Sequence, residues 1–258
     1  MVKSLGKKIY AFLIYLFLYA PIIVLIIFSF NDSKSRVTWN GFTLKWYTSL
    51  FSDTEILKSL YYTIIIALLA SLISTILGTV AAIGINNYKS FKRKLLLNIN
   101  YLPVLNPDIV TAVGLMLLFN MLKIEKGFLT MLLAHISFCT PYVVLAVLPK
   151  LKQLPKNIME AALDLGATPM YAMRKVIIPQ IFDGIISGAL IAFTLSIDDF
   201  VISFFNTGSG VSNLSINIYS MARKGINPKI NALSTLMFLS VLIVLLIVNK
   251  KSAKGEKN

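Results

Sequence analysis

Cysteine and histidine are nearly absent from this chain: 258 residues contain one of each, Cys139 and His135. A lone cysteine excludes an intramolecular disulfide and a cysteine metal cluster. His135 shares an apolar run with Cys139, where a packed or hydrogen-bonded ring is expected rather than a metal ligand. Acids are scarce too, with 11 Asp and Glu against 25 Lys and Arg, a formal net charge of +14. No Walker A sequence and no Gly-rich phosphate loop occurs, so the chain carries no nucleotide-binding signature of its own. The basic residues are dispersed among apolar runs without forming a basic domain, which argues against a nucleic-acid partner.

What the chain has instead is hydrocarbon. Hydrophobic residues make up 57% of it and charged residues 14%, and its mean hydropathy is +0.77. That composition reads as an all-α, polytopic membrane protein without a large soluble domain. A membrane helix needs about 20 apolar residues, and six runs qualify: 9–30, 60–85, 101–122, 128–148, 181–205 and 232–248. The third is interrupted by Pro103 and Pro107, and the sixth is short. With six spans both termini share one side, and that side carries 16 of the Lys and Arg residues against 9 on the other. The bias places both termini in the cytoplasm. Lys3, Lys7 and Lys8 precede the first run, but its 22 residues and the lack of a small-residue cleavage pattern read as an uncleaved span rather than a signal peptide.

The most informative polar segment lies between the fourth and fifth runs, at 150–180, on the cytoplasmic side. It contains Glu160-Ala161-Ala162, then Gly166, then Val176-Ile177-Ile178-Pro179. Pro155 suits a first helical turn, 156–165 has helix-forming composition, and Gly166 is a left-handed stop. Thr168-Pro169 reads as an N-cap followed by proline inside a second short helix that runs towards Lys175. A helix, a tight turn and a helix result, with small Ala161 and Ala162 permitting close approach by a partner and Glu160 supplying charge at the rim. Glu-Ala-Ala by itself is common; the whole arrangement inside a membrane chain is specific.

Acids within or beside apolar spans are costly and mark a bundle interior or an aqueous path. Asp183 sits near the cytoplasmic end of the fifth span and reads as a solvated helix-start residue. Asp108 follows Asn106-Pro107, which can form an N-cap and first helical position; the competing reading is that the broken helix lines a cavity. Asp198 and Asp199 differ by about 100° in azimuth on a regular helix, so they cannot share a direction. Asp198 continues a mostly small and polar stripe of Gly184, Ser187, Ile191 and Thr194. Asp199 continues Gly188, Ala192 and Ser196. Carboxylates along a path favour a cation over an anion. Tyr219 is a candidate aromatic face for an amine, whereas Phe200, Phe204 and Phe205 read as packing. On the external side, Trp39 and Trp46 lie between spans one and two and read mainly as interfacial aromatics. The stretch 206–231, with Gly208, Gly210, Gly225 and Pro228, reads as loop.

The segment 150–180 resembles the EAA loop of binding-protein-dependent ABC importer permeases, with Val176 and Ile178 in place of the usual Ile and Leu. Four further segments extend the resemblance to the permease subunits of spermidine/putrescine importers. These are Asn106-Pro107-Asp108-Ile109-Val110, His135-Ile136-Ser137-Phe138-Cys139, Phe193-Thr194-Leu195-Ser196-Ile197-Asp198-Asp199 and Ile218-Tyr219-Ser220-Met221. The resemblance covers nearly the whole chain. It implies a type I ABC importer (MetI-like) permease fold, a single transmembrane permease domain over 1–258, and a multi-pass protein of a bacterial plasma membrane. The implied partners are a homologous second permease subunit, two ATP-binding subunits that hold ATP and Mg, and an extracytoplasmic polyamine-binding protein. It implies a substrate path through Asp108 and Asp198, with Asp199 and Tyr219 beside them, and ATPase coupling through Glu160, Ala161, Ala162, Gly166 and Pro179. An ABC permease for another cationic solute would fit the same acids; a stand-alone cation channel or carrier would use them for conduction, and the EAA-like loop speaks against it.

Overall fold

The computed structural model describes residues 2–33, 38–155, 157–224 and 228–255. Lys156 and Gly225, both within segments named above, lie outside them. The described residues are mostly helical, and their only bridge of β type is an isolated antiparallel one between Asn31 and Phe42. The helices are α1 Val2–Phe28, α2 Lys45–Phe51, α3 Thr54–Asn87, α4 Ser90–Leu105, α5 Asp108–Met121, α6 Phe128–Gln153, α7 Ile158–Asp164, α8 Pro169–Ala172, α9 Ile178–Gln180, α10 Phe182–Asp198, α11 Val201–Asn206, α12 Leu214–Lys224 and α13 Pro228–Gly255. The chain divides into two compact units, 1–57 with 217–258, and 58–216.

Three helices are long and apolar enough to cross a membrane, Lys7–Phe28, Thr54–Asn87 and Phe128–Gln153, and the number rises to five if each of two bent helix pairs is one span. The sixth expected run falls inside α13. The third run is not a straight helix: α4 and α5 meet at 103°. Its cause is local. Asn106 is extended at ψ 144, as the residue before a proline prefers, and Pro107 has no N–H to continue the ladder. Pro107 itself takes the cap position and Asp108 begins α5, one residue later than the sequence pattern places the helix start. The fifth run is also broken. Asp199 turns extended (φ −62, ψ 129), which ends α10 and starts α11 two residues on.

In the first unit, α13 packs against α1 and α2. Trp46 is buried, and its Nε1–H donates to the Asn31 carbonyl at 2.8 Å. Trp39 is about half exposed and meets Phe28 edge-on. The interfacial reading therefore describes Trp39, whereas Trp46 anchors the turn that Gly41 makes at φ +114. Lys229 of α13 donates to Asp53 at 3.1 Å. Partial burial works to raise the Asp53 pKa, and the Lys229 contact with backbone N–H donors outweighs it, leaving the carboxyl below its ordinary value.

The second unit is built on α6, whose residues Phe138, Val143, Val144 and Val147 are buried. Small residues let α3 and α10 press against it. A Cβ at Gly78 would lie 2.6 Å from Val143 Cβ, and one at Gly188 would lie 3.1 Å from Val143 Cγ1. Gly184, Gly188, Ala192 and Ser196, spaced one turn apart, form the buried face of α10. Such small-residue seams allow membrane helices close van der Waals approach. The stretch read as loop after residue 206 contains α12, whose start is capped by Asn213 Oδ1 accepting from the Ile216 N–H at 2.9 Å. Gly208 lies so close to the Lys126 carbonyl oxygen that a Cβ would stand 1.9 Å from it, which excludes any side chain there.

Candidate functional site

Within 150–180 a helix, a left-handed stop and a second helix follow in the expected order, but α7 begins only at Ile158, beyond Pro155, and α8 ends at Ala172, short of Lys175. α7 carries Glu160, Ala161 and Ala162; Gly166 follows at φ +83; and Thr168 Oγ1 accepts from the Tyr171 N–H at 3.3 Å to cap α8. The chain then winds as a π-helical turn, Met173–Ile177, before α9, which contains Pro179. Proline supplies no amide hydrogen, and wide turns of this kind concentrate at functional places. At Ile181, which is fully buried, the direction changes by 70° into α10.

The tip presents apolar side chains to solvent. Leu165 is 90% exposed and Met170 61%, with Leu163 and Tyr171 also exposed. Beside them lies an open hollow of about 480 Å³ lined by Ala162, Leu165, Gly166, Ala167, Thr168, Tyr171 and Val176. Glu160, Ala161 and Pro179 are exposed. Exposed apolar side chains gathered on a short helix beside a hollow are a common feature of protein interaction surfaces.

The two neighbouring acids at the end of α10 part company. Asp198 lies on the exposed face with Ser187, Ile191 and Thr194, while Gly184 of that stripe is buried. Asp199 points inward, its side chain only 6% exposed. Its Oδ1 accepts from the Ile202 N–H at 3.1 Å and its Oδ2 from the Ser203 N–H at 2.7 Å, so it caps α11. His135, which is 1% exposed, sits between the two helices: Nδ1 lies 2.7 Å from Ser196 Oγ, Nε2 lies 2.9 Å from Ser203 Oγ and 3.5 Å from Asp199 Oδ2. A neutral ring with its proton on Nε2 suits this setting, because that hydrogen faces the carboxylate and Nδ1 then accepts from Ser196. Asn213 closes the group from the other side, its Nδ2 donating to the Asp199 carbonyl at 2.9 Å and to Ser203 Oγ at 2.7 Å. A buried carboxylate is tolerable only with donors of this number around it.

Sequence alone marks His135 as packed or hydrogen-bonded, and it is both. It does not single out Ser203 or Asn213. The one available signal is Asn213 ahead of Leu214-Ser215-Ile216, an N-cap pattern inside what reads as plain loop.

Asp108 is exposed in the first turn of α5 and lies within electrostatic reach of the Tyr142 hydroxyl on α6. Among the described residues no hydrogen bond or ion pair joins Asp108 to Asp198. α5 is tied to α11 by Asn206, whose Nδ2 donates to the Ala112 carbonyl at 3.2 Å. Tyr219, on α12, is 42% exposed, and the Arg223 guanidinium carbon lies 5.9 Å from its ring centroid. Its aromatic face therefore already has a cation near the limit of attraction. Phe200, Phe204 and Phe205 pack on one another, with centroids 5.3 Å and 5.5 Å apart for successive pairs. Among the described residues no group of three or more His, Cys, Asp and Glu has the arrangement of a metal site.

The chain is similar to permeases of known transport systems. The spermidine/putrescine transport system permease protein PotC of Escherichia coli K12 is 36% identical over 246 residues, covering 94% of this chain and 93% of its own. The putrescine transport system permease protein PotI of the same strain is 38% identical over 264 residues, covering 100% and 94%. Two solved structures share the fold at low identity. A bacterial ABC transporter involved in import of the acidic polysaccharide alginate has TM-score 0.75 at 18% identity, covering 97% of this chain and 95% of that one. The MetNI methionine ABC transporter has TM-score 0.59 at 18% identity, covering 75% and 91%. Residues 74–250 match the model of the family described as binding-protein-dependent transport system inner membrane component. With that match spanning the coupling-type loop and α10 alike, and with permeases of polyamine ABC systems as homologues, the chain belongs to the inner membrane components of binding-protein-dependent transport systems.

Proposed function

We propose that this chain is one permease subunit of an ATP-driven importer that moves polyamines, spermidine or putrescine, across a bacterial plasma membrane by alternating access. The observation that carries the reading is the placement of Asp198. It is an acid at the end of an apolar span, on the exposed face, continuing the exposed polar residues Ser187 and Thr194. A carboxylate there is costly in hydrocarbon and useful only beside an aqueous path and a cation. The relatives named for spermidine and putrescine give the cation its class.

In this reading the whole chain is a single permease domain with six spans and both termini cytoplasmic. A homologous second permease completes the path, and an extracytoplasmic polyamine-binding protein delivers the amine to its outer end. Two ATP-binding subunits hold ATP and Mg, and they seat on 150–180 through Glu160, Ala161, Ala162, Gly166 and Pro179. Asp108 and Asp198 supply the charge of the path, Tyr219 is a candidate aromatic face for the amine, and Asp199 acts from behind by shaping the backbone that presents Asp198. The lipid bilayer covers the remaining apolar surface, and no nucleic acid is involved.

The test is ATP hydrolysis by the complete complex in liposomes, with spermidine, putrescine or an anionic solute supplied together with the binding protein. Stimulation by a polyamine alone is the expected result. Stimulation only by another solute removes the polyamine assignment, and failure of any ATPase to associate removes the docking role of 150–180.

A further inference from the structure

We propose that His135 is a positioning residue for the amine path: through Asp199 and Ser203 it fixes the direction of Asp198 relative to the packed pair α6–α10. The inference rests on the reading of Asp198 as a path acid and extends it to a residue that touches no substrate.

Asp198 is the last helical residue of α10, and the extended backbone at Asp199 leaves it at a free end. A terminal residue swings unless the chain beyond it is held. Several attachments converge on the residues around Asp198. Asp199 caps α11, Ser203 and Ser196 meet the two nitrogens of one imidazole, and Asn213 bonds both the Asp199 carbonyl and the Ser203 hydroxyl. The Asp198 carbonyl is held as well, by the Ser215 hydroxyl at 3.3 Å. All of the side chains of this clasp except Ser215 are buried. His135 is its only member on α6.

That position matters because α6 and α10 are the two long helices that enter and leave the segment 150–180. From His135 to the end of α6 at Gln153 the rise is about 27 Å. Glycines and alanines lock the two helices together along this length, with Gly188 against Val143 and the Cys139 thiol 3.5 Å from the Ala192 carbonyl. Movement imposed on the docking segment reaches Asp198 as a rigid displacement only if the far end of the pair is closed, and His135 closes it.

The two ring nitrogens can be separated by mutation. Asn places its amide where Nδ1 stands and keeps only the Ser196 side; Gln reaches the Nε2 position and keeps Ser203 and Asp199. In the reconstituted complex, His135→Asn should raise the KM for polyamine-stimulated hydrolysis about tenfold with little change in kcat, as loss of the buried hydrogen bond to Ser203 implies, while His135→Gln stays near the parent. A second readout needs no substrate. With Cys139→Ser as background, thiol labelling of Asp198→Cys by a membrane-impermeant reagent should slow several-fold when His135→Asn is added and keep its rate with His135→Gln. Asn213→Ala, which cuts the clasp from the α12 side, should slow it as well. Unchanged labelling in both clasp variants overturns the proposal, as does equal damage by Asn and Gln. If His135→Asn prevents assembly, the Asn213→Ala comparison decides. Should labelling shift while no polyamine stimulates the parent complex, the positioning role stands and the substrate assignment falls.

Discussion

Two adjacent carboxylates at the end of α10 have opposite surroundings, and burial divides them. Asp198 is exposed, and no ion pair joins it to another described residue, so in the proposed reading its charge is open to a passing cation. Asp199 spends its charge on two backbone donors and a neighbouring imidazole. Paired substitutions should separate the roles. Asp198→Asn keeps size and removes charge; it should lower polyamine uptake at limiting substrate about tenfold, since a close charge contact contributes on the order of 1–2 kcal/mol, and leave the yield of assembled complex unchanged. Asp199→Ala should instead lower the yield and the unfolding temperature of the complex, because removal of an N-cap costs about 1 kcal/mol and the buried donors around it lose their acceptor. Uptake assays at low polyamine and thermal unfolding of the purified complex check the pair. Equal loss of assembly in both variants would defeat the division.

The elements that sequence periodicity marks well are those whose burial depends on their own residues. α3 and α6 contain the expected second and fourth runs, α1 covers the first up to Phe28, and Thr168-Pro169 caps α8 as its pattern indicates. The broken elements are harder to read, because their breaks depend on partners. Nothing local to Ile197-Asp198-Asp199-Phe200 announces that α10 stops there; the stop is stabilised by His135 and Asn213, 64 residues before and 14 residues after Asp199. α12 is hidden for a similar reason, since its start is secured by the Leu214 N–H donating to Thr63 Oγ1, across 151 residues. The stripe of small residues on α10 is legible as a stripe, and the structure shows its use, which is contact with α6. Gly188→Val should therefore push the helices apart: the added Cβ would lie 3.1 Å from Val143 Cγ1 and 3.3 Å from Val143 Cα. Overpacking of this kind costs about 1–3 kcal/mol, seen as a lower unfolding temperature. Val143→Ala in the same chain should restore part of the loss. If Gly188→Val is neutral by itself, the seam is not the constraint the distances imply.

At the scale of the molecule, the segment 150–180 and Asp198 occupy opposite ends of one helix pair. α6 delivers the chain to α7, the turn at Ile181 returns it to α10, and Asp198 stands 17 residues further on, about 26 Å along the axis. An importer of this design must let a partner's movement at one end change access at the other without any chemistry in between. That requirement assigns different phenotypes to the two ends. Ala161 is exposed on α7, beside the apolar tip of Leu165, Met170 and Tyr171. Ala161→Glu places a bulky charge on a surface that would be desolvated by the ATPase, where an uncompensated charge costs several kcal/mol. The permease should fold normally, because Ala161 lies at the surface of the described chain, yet the ATPase subunits should fail to copurify and polyamine-stimulated hydrolysis should vanish. Asp198→Asn must do the reverse, keeping the ATPase bound while weakening the response to amine. Copurification measured on both variants separates the ends of the pair; if Ala161→Glu retains bound ATPase and normal stimulation, the partner seats elsewhere and the rigid pair α6–α10 loses its role as the transmitting element.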